Sequence, residues 1–494
     1  MSWLDAVAPA RMRRVAVVAP AAALRDVLVM VADSGAAQLG FADGAPAGTD
    51  SGPRGPAAEP GEAARRLQRA GRPVPRPVLC VTRPDLDALE RAGRYDLLAG
   101  EAQLEGYAGM AVRRSGAAAL AGWVPASELD SLSARLAPAG GAVVPLPLPP
   151  GAEPPSLITG RPMKRSLVPL VQTYGTVPYQ DLDPTWLAWA SYVLMFGMMF
   201  GDAGEGLVLL LAGLALRAGW PRRARRWQRA WPFVVGAGAA ATLFGLLYGE
   251  CFGPTGLVPV IWLNPLADPI KLLLVAAAAG AVLLAGAYAL GVVNRWREGG
   301  WRNALYAPSG IAGCFLFGGA GLLAAGYYVD GAALLWAGGV LTGAGLALAF
   351  GGFLAESGGG GAGLTQALVE LFDLVVRLGS NVVSFTRLAA FGLTHAALSL
   401  LVWQGTRALW LGGGGAAAAA VALFAVGTAL AFGLEALIAA IQALRLEYYE
   451  LFSRVFVSQG RPFRPWHLPM ASDGGDACEA PHVPGSRAVD EGVS

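Results

Sequence analysis

Seven apolar stretches, at about 187–217, 231–252, 270–293, 305–328, 332–355, 367–411 and 416–457, constrain what this chain can fold into more than any other feature. A perpendicular membrane span takes about 20 residues, because a helix rises about 1.5 Å per residue and the hydrocarbon layer is about 30 Å thick. The last two stretches far exceed that length, so they must be strongly tilted or begin as interfacial helices. Charged residues are only 15 % of the 494, against about a quarter in an average soluble domain, as expected of a polytopic membrane protein.

The rest of the composition excludes several classes. Net charge is +2, which gives no field on the scale that nucleic acid requires. Cys80, Cys251, Cys314 and Cys478 share no metal or redox spacing, and no metal or other cofactor is expected. Lys164 and Lys271 are the only lysines, and neither precedes Ser or Thr. A phosphate-gripping Gly-Lys-Ser/Thr loop is therefore absent, and in an ATP-driven machine the nucleotide would sit on another subunit.

Residues 1–185 read as a small α/β domain with a linker, 186–460 as the membrane domain and 461–494 as a mostly disordered tail. The run Val15–Ala19 after Arg11-Met-Arg-Arg14 is too short for a signal peptide and reads as a buried strand. Runs at 77–81 and 119–124 read as further strands, and 21–34, 85–93 and 126–137 as helices. Residues 43–62 read as a flexible loop, and Pro145–Pro155 as a Pro-rich linker.

Arginine alternates between the loops. Arg217, Arg222, Arg223, Arg225, Arg226 and Arg229 follow the first stretch, and Arg295, Arg297 and Arg302 follow the third. The loops at 253–269 and 329–331 hold no Lys or Arg and the last connection only Arg407, whereas Arg454, Arg461 and Arg464 follow the last stretch. This is a positive-inside pattern. Arg161, Lys164 and Arg165 put the N-terminal flank on the same side as the first Arg-rich loop, so the first stretch must cross an even number of times. Its centre, Phe200-Gly-Asp-Ala-Gly-Glu-Gly206, predicts a broken, hairpin-like pair, giving about eight crossings with both termini cytoplasmic.

Ionisable groups inside a bilayer cost about 2.5–3.5 kcal/mol each on insertion scales, so those present point to function. Asp202 and Glu205 sit at the break, and Glu250 near the end of the second stretch. Asp373, Ser380, Arg387 and Thr394 recur every seven residues and share one helix face, with His395 beside them. On the last stretch Glu435 and Gln442 share a face, and Gln442 and Arg445 are neighbours. Two polar stripes on over-long helices suggest a lined aqueous path. For Glu250, Asp373 and His395 taken singly, structural pairing remains an equal alternative. Arg387 and Arg445 point more firmly to function, since two arginines cannot neutralise each other and neither deprotonates. Glu447 and Glu450 read as solvated or paired carboxylates at the helix end.

Three segments carry a specific resemblance. Pro154-Pro-Ser-Leu157 and Tyr174-Gly-Thr-Val-Pro-Tyr179, running into Phe196-Gly-Met-Met-Phe-Gly-Asp-Ala-Gly204, form the first. Ser384-Phe-Thr-Arg-Leu-Ala-Ala-Phe-Gly-Leu-Thr-His-Ala-Ala-Leu398 forms the second. Gln442-Ala-Leu-Arg-Leu-Glu-Tyr-Tyr-Glu-Leu-Phe452, followed by Arg461-Pro-Phe-Arg-Pro465, forms the third. Together they resemble the membrane stator subunit, subunit a or I, of V/A-type rotary ATPases. The resemblance implies two proton half-channels against a rotating proteolipid ring, with peripheral stalk subunits linking the chain to the ATPase head and the bilayer around it. It places Arg387 and Arg445 at the ring-facing arginines, Glu435 and His395 in one half-channel, Asp373 and Ser380 in the other, and Gln442 near the second arginine. Asp202, Glu205 and Glu250 are further channel acids, although Glu205 replaces a residue that is often His or Tyr in the family. The family's long coiled-coil arm has no counterpart near 95–110, so the soluble part is shortened. The implied setting is a bacterial plasma membrane. A secondary transporter and a non-conducting membrane anchor are the alternatives.

Overall fold

The computed structural model describes residues 9–40, 61–71, 76–149, 152–158, 162–358, 360–412, 416–455 and 460–471. The loop expected over 43–62 and the tail beyond 471 therefore fall almost wholly outside the described residues. The chain divides into two units, one of residues 10–157 with the segment from 461, the other of residues 158–460.

The first unit is built on a sheet. Strand β1 (Met12–Pro20) buries Met12, Val15, Val17 and Ala19, the alternation expected where one face meets a core. Helix α1 (Leu24–Ser34) follows it, then β2 (Gln38–Leu39), α2 (Glu62–Ala70), α3 (Leu86–Arg91) and α4 (Tyr95–Met110). After these come β3 (Val112–Arg114), β4 (Ala117–Pro125), α5 (Leu129–Leu136) and β5 (Ala142–Pro145). The sheet order is β2-β4-β1-β5 with β3 on β4, and every pairing is antiparallel, from Met12 opposite Pro125 to Pro20 opposite Ala117. Val27, Leu28, Val31, Leu132 and Leu136 fill the core from α1 and α5.

Two sequence expectations are corrected here. The run 77–81 is no regular strand; Leu79 makes only an isolated parallel bridge to Met470. The partner explains the second correction. Leu79 N donates to Pro469 O (3.0 Å) and Ala471 N to Leu79 O (2.9 Å), while Trp466 is buried against the Tyr107 ring, 4.4 Å between centroids. Residues 461–471 are thus part of this unit rather than free tail. Helix α4 also went unforeseen, its apolar Leu97, Leu98 and Leu104 being buried without a sustained repeat.

The second unit is helical: α6 (Pro162–Tyr174), α7 (Thr185–Met199), α8 (Ala203–Arg217), a 3₁₀ segment Arg222–Ala230, α9 (Trp231–Tyr248), α10 (Pro269–Tyr306) and α11 (Ile311–Tyr328). It continues with α12 (Ala332–Glu356), α13 (Gly360–Ser384), α14 (Thr386–Leu411) and α15 (Ala416–Leu446), the last passing into a π-helical turn, Glu447–Phe452. Among the described residues six helical segments are long and apolar enough to span a bilayer.

The break expected at 201–206 is present: α7 ends at Met199 and α8 starts at Ala203. Glycine contacts fix the directions. Gly197 meets Ala240 and Trp189 bonds Pro232 O (3.1 Å), so α7 runs parallel to α9. Gly206 meets Thr242 and Gly213 meets Val235, so α8 runs antiparallel to α9. The two short helices therefore form a hairpin, each about 22 Å long. No side chain larger than hydrogen fits at Gly206 or Gly213, because a Cβ there would strike the backbone of α9.

The seven-residue stripe is corrected in one respect. It lies on two helices, because the chain turns at Phe385, where Phe385 N bonds Val382 O (3.1 Å) and Leu388 N bonds Phe385 O (3.0 Å). The buried Phe385 ring seats against Gly280 of α10, which holds the turn in place.

Candidate functional site

The hairpin break is the floor of the site. Asp202 caps α8, its Oδ1 accepting from the N–H groups of Gly204 and Glu205, both at 2.9 Å. The same carboxylate reaches the loop after α9, Oδ1 accepting from Phe252 N (2.9 Å) and Oδ2 from Gly253 N (2.7 Å). Ala203 N in turn donates to Glu250 O (2.9 Å). An acidic residue at a helix start is locally favoured, because its charge meets exposed N–H groups and the positive end of the dipole.

Helices α14 and α15 close the other side. His395 Nδ1 is hydrogen-bonded to Glu435 Oε2. The Phe200 ring lies 5.0 Å from the His395 ring and 5.8 Å from that of Phe432, an apolar wall that keeps the pair out of water. Asp202, Glu250 and His395 each bring one ligating atom within 4.8 Å of the other two, and Glu205 lies close enough for its charge to act on His395. All five groups are buried. His395 Nε2, Glu205 Oε2 and Glu435 Oε1 are buried with no hydrogen-bond partner among the described residues. Such a constellation can share and pass protons. It could also hold a cation, although Asp202 is already engaged by four backbone donors.

The remaining residues singled out from the sequence lie elsewhere. Asp373 pairs with Arg377 on its own helix (2.7 Å), a partner the sequence reading passed over, and Ser380 is exposed on α13. Arg387 is half-buried, with Nη1 buried and unpartnered among the described residues. Arg445 is exposed, and Gln442 is half-buried with Oε1 lacking a partner among those residues.

Of the two readings of Glu447 and Glu450, solvated or paired, the structure bears out the paired one: both are buried in the π-helical turn. Glu447 Oε2 accepts from Ser191 Oγ of α7 (2.6 Å). Glu450 faces Ser384 and sits in the field of Arg387, Arg445 and Arg454, so Arg387 has a carboxylate from its own chain nearby. The available signal was the pattern Glu-Tyr-Tyr-Glu inside an apolar stretch, with the two acids three residues apart.

Comparison with known proteins finds similarity over part of the chain. Residues 110–255 match the V-type ATPase 116kDa subunit family. The chain is 28 % identical over 344 residues to the A-type ATP synthase subunit I of Aeropyrum pernix, covering 60 % of this chain and 49 % of that protein. It is 35 % identical over 135 residues to the A-type ATP synthase subunit I of Archaeoglobus fulgidus, covering 27 % of this chain and 19 % of that one. It is 37 % identical over 154 residues to the V-type ATP synthase subunit I 2 of Treponema pallidum, covering 29 % and 34 %. The matches thus span about half or less of these relatives' length.

Proposed function

We propose that this chain, which belongs to the V-type ATPase 116kDa subunit family and is an integral membrane protein, is the stator subunit that conducts protons past a rotating proteolipid ring. The observation that carries the reading is the buried His395–Glu435 pair meeting Asp202, Glu205 and Glu250 at the hairpin break. Buried titratable groups without full hydrogen bonding are costly and are kept where a proton must move.

In this reading Glu435, His395, Glu205 and Glu250 form one half-channel, and Asp373 with Ser380 opens the other. Arg387 lies between them, draws the arriving ring carboxylate, favours its charged form and blocks a direct leak. Arg445 and Gln442 support it from α15. Transport is driven or opposed by about 2.3 kcal/mol per charge per 100 mV. Counting the hairpin as a pair gives eight crossings with both termini cytoplasmic. Support for this is that Ser166 of α6 lines one cavity with Arg217, Arg225 and Arg229, which puts the N-terminal flank and the Arg-rich loop at the same end. Residues 1–185 would meet peripheral stalk subunits and, through them, the ATPase head.

A non-conducting anchor is the second reading, favoured by one observation: Asp373 is already neutralised by Arg377. Vesicles holding the assembled complex separate the two. Under the conducting reading Glu435→Gln lowers ATP-dependent acidification at least tenfold while co-purification of the ring is unchanged. Normal acidification by the assembled variant would remove Glu435 from the path.

A further inference from the structure

Away from the proton site, α10, α12 and the turn after the π-helix line an open cavity of about 770 Å³. Three guanidinium groups line it, from Arg295, Arg302 and Arg454, against a single acid, Glu356. Arg295 Nη1 is paired with Glu298 (2.7 Å), and Arg454 lies over the Tyr288 ring, 5.7 Å from its centroid. The Nε of Arg295 and that of Arg454 are nonetheless buried with no hydrogen-bond partner among the described residues. The lining itself carries three guanidinium groups against one carboxylate, an excess of positive charge that favours an anionic occupant.

The walls are closely packed. A Cβ on Gly291 would come within 2.6 Å of Arg454 O and 2.7 Å of Ser309 O, and one on Gly352 within 2.8 Å of Tyr306 O. These glycines let the backbones close around the site. The helix turns at Gly299 and Gly300, whose backbones are non-helical, and this brings Arg302 round to the same cavity as Arg295.

Position along the membrane identifies the occupant. The cavity starts where the apolar runs end, at Arg295 after the stretch 270–293 and at Ala355 and Glu356, at the end of the stretch 332–355. Trp296, Trp301 and Tyr306 beside it are exposed by 49 %, 65 % and 41 %, the amphipathic aromatics expected at headgroup depth. A cationic pocket between membrane helices at that depth matches a phosphate diester that carries acyl chains down the adjoining apolar faces.

We propose that this cavity binds the headgroup of an anionic phospholipid, with its phosphate held by Arg295, Arg302 and Arg454. Arg454 also reaches Asn381 of α13 (2.9 Å, with the amide oriented to satisfy both neighbours), so the bound lipid ties α10, α12 and the chain exit to the helix that bears Asp373 and Ser380.

The test uses the full chain, purified in mild detergent and stripped of lipid. Phosphatidylglycerol added in micelles raises the thermal midpoint, and native mass spectrometry finds one retained lipid per chain. Arg302→Gln and Ala355→Glu, both at exposed positions, each weaken that binding at least tenfold, whereas Arg223→Gln in the other Arg-rich loop leaves it unchanged. Equal stabilisation by phosphatidylcholine would overturn the proposal, as would an equal effect of soluble glycerol 3-phosphate or unchanged binding in both cavity variants.

Discussion

Asp202 is the residue at which a structural role and a transport role are most sharply separable. Its carboxylate accepts from four backbone N–H groups, those of Gly204, Glu205, Phe252 and Gly253, at 2.7–2.9 Å. Asp202→Asn keeps one oxygen but turns the other into an NH₂ facing the Gly253 N–H, donor against donor. One charge-assisted bond is lost, about 1.5–3 kcal/mol, and three bonds fall to neutral strength, each losing about 1 kcal/mol. Because the four share one group and are not additive, the expected destabilisation is about 3–5 kcal/mol. It should concentrate where the carboxylate clasps the loop. Hydrogen exchange of the Phe252 and Gly253 amides is the assay, and those energies correspond to exchange about 10²–10⁴-fold faster. Glu435→Gln, whose carboxylate holds no backbone donor among the described residues, should leave these amides protected. Unchanged protection in Asp202→Asn together with lost proton flux would refute the clasp and make Asp202 a carrier.

Arg387→Lys should leave the complex assembled yet cut ATP-driven acidification at least tenfold, since a compact ammonium deprotonates when buried where a guanidinium does not; wild-type pumping would sink the mechanism. Lys164 and Asp183 form a buried ion pair at 2.7 Å, so Lys164→Met should cost about 3–5 kcal/mol in thermal or detergent unfolding, with part regained in Lys164→Met/Asp183→Asn. In the sheet unit burial pushes the Glu101 carboxyl above its ordinary range, against the pull of Arg25 at 2.5 Å. The folded unit then holds more protons than the unfolded one, and stability falls as pH rises from the ordinary glutamate value through the raised one. Glu101→Gln should flatten that slope in hydrogen exchange of α4, and an unchanged slope would exclude Glu101 as its source. A cysteine placed at Arg225 should react only from the cytoplasmic side, and labelling from outside alone would invert the topology.

Some of what is local in the sequence was legible. The strands at 15–19 and 119–124 showed as short apolar runs, and the structure places both in the sheet. The hairpin break showed as Gly and Asp where an ordinary span carries Leu and Val. Asp202 was legible as a polar group at a break, but not as a clasp, because Phe252 is 50 positions away and contributes only its backbone. Leu79 met the same limit: its run looks like a strand, and its partner Met470 lies near the far end of the described chain.

Periodicity, length and arginine spacing are properties of neighbours along the chain, and they determined that this is a membrane protein of long apolar helices joined to a small domain with a sheet. Which charges meet is a property of neighbours in space. Glu447 and Glu450 read in the sequence as solvated or paired, and only the structure names the partners, Ser191 for one and the surroundings of Ser384 and Arg387 for the other. Spacing alone leaves His395 and Glu435 on separate stripes; the resemblance put them in one half-channel, and the packing of α14 on α15 makes them one hydrogen-bonded pair against the hairpin break. A buried charge is stable only opposite a suitable partner, and the helix crossings that choose the partner are set by glycine contacts and ring packing that no local pattern encodes.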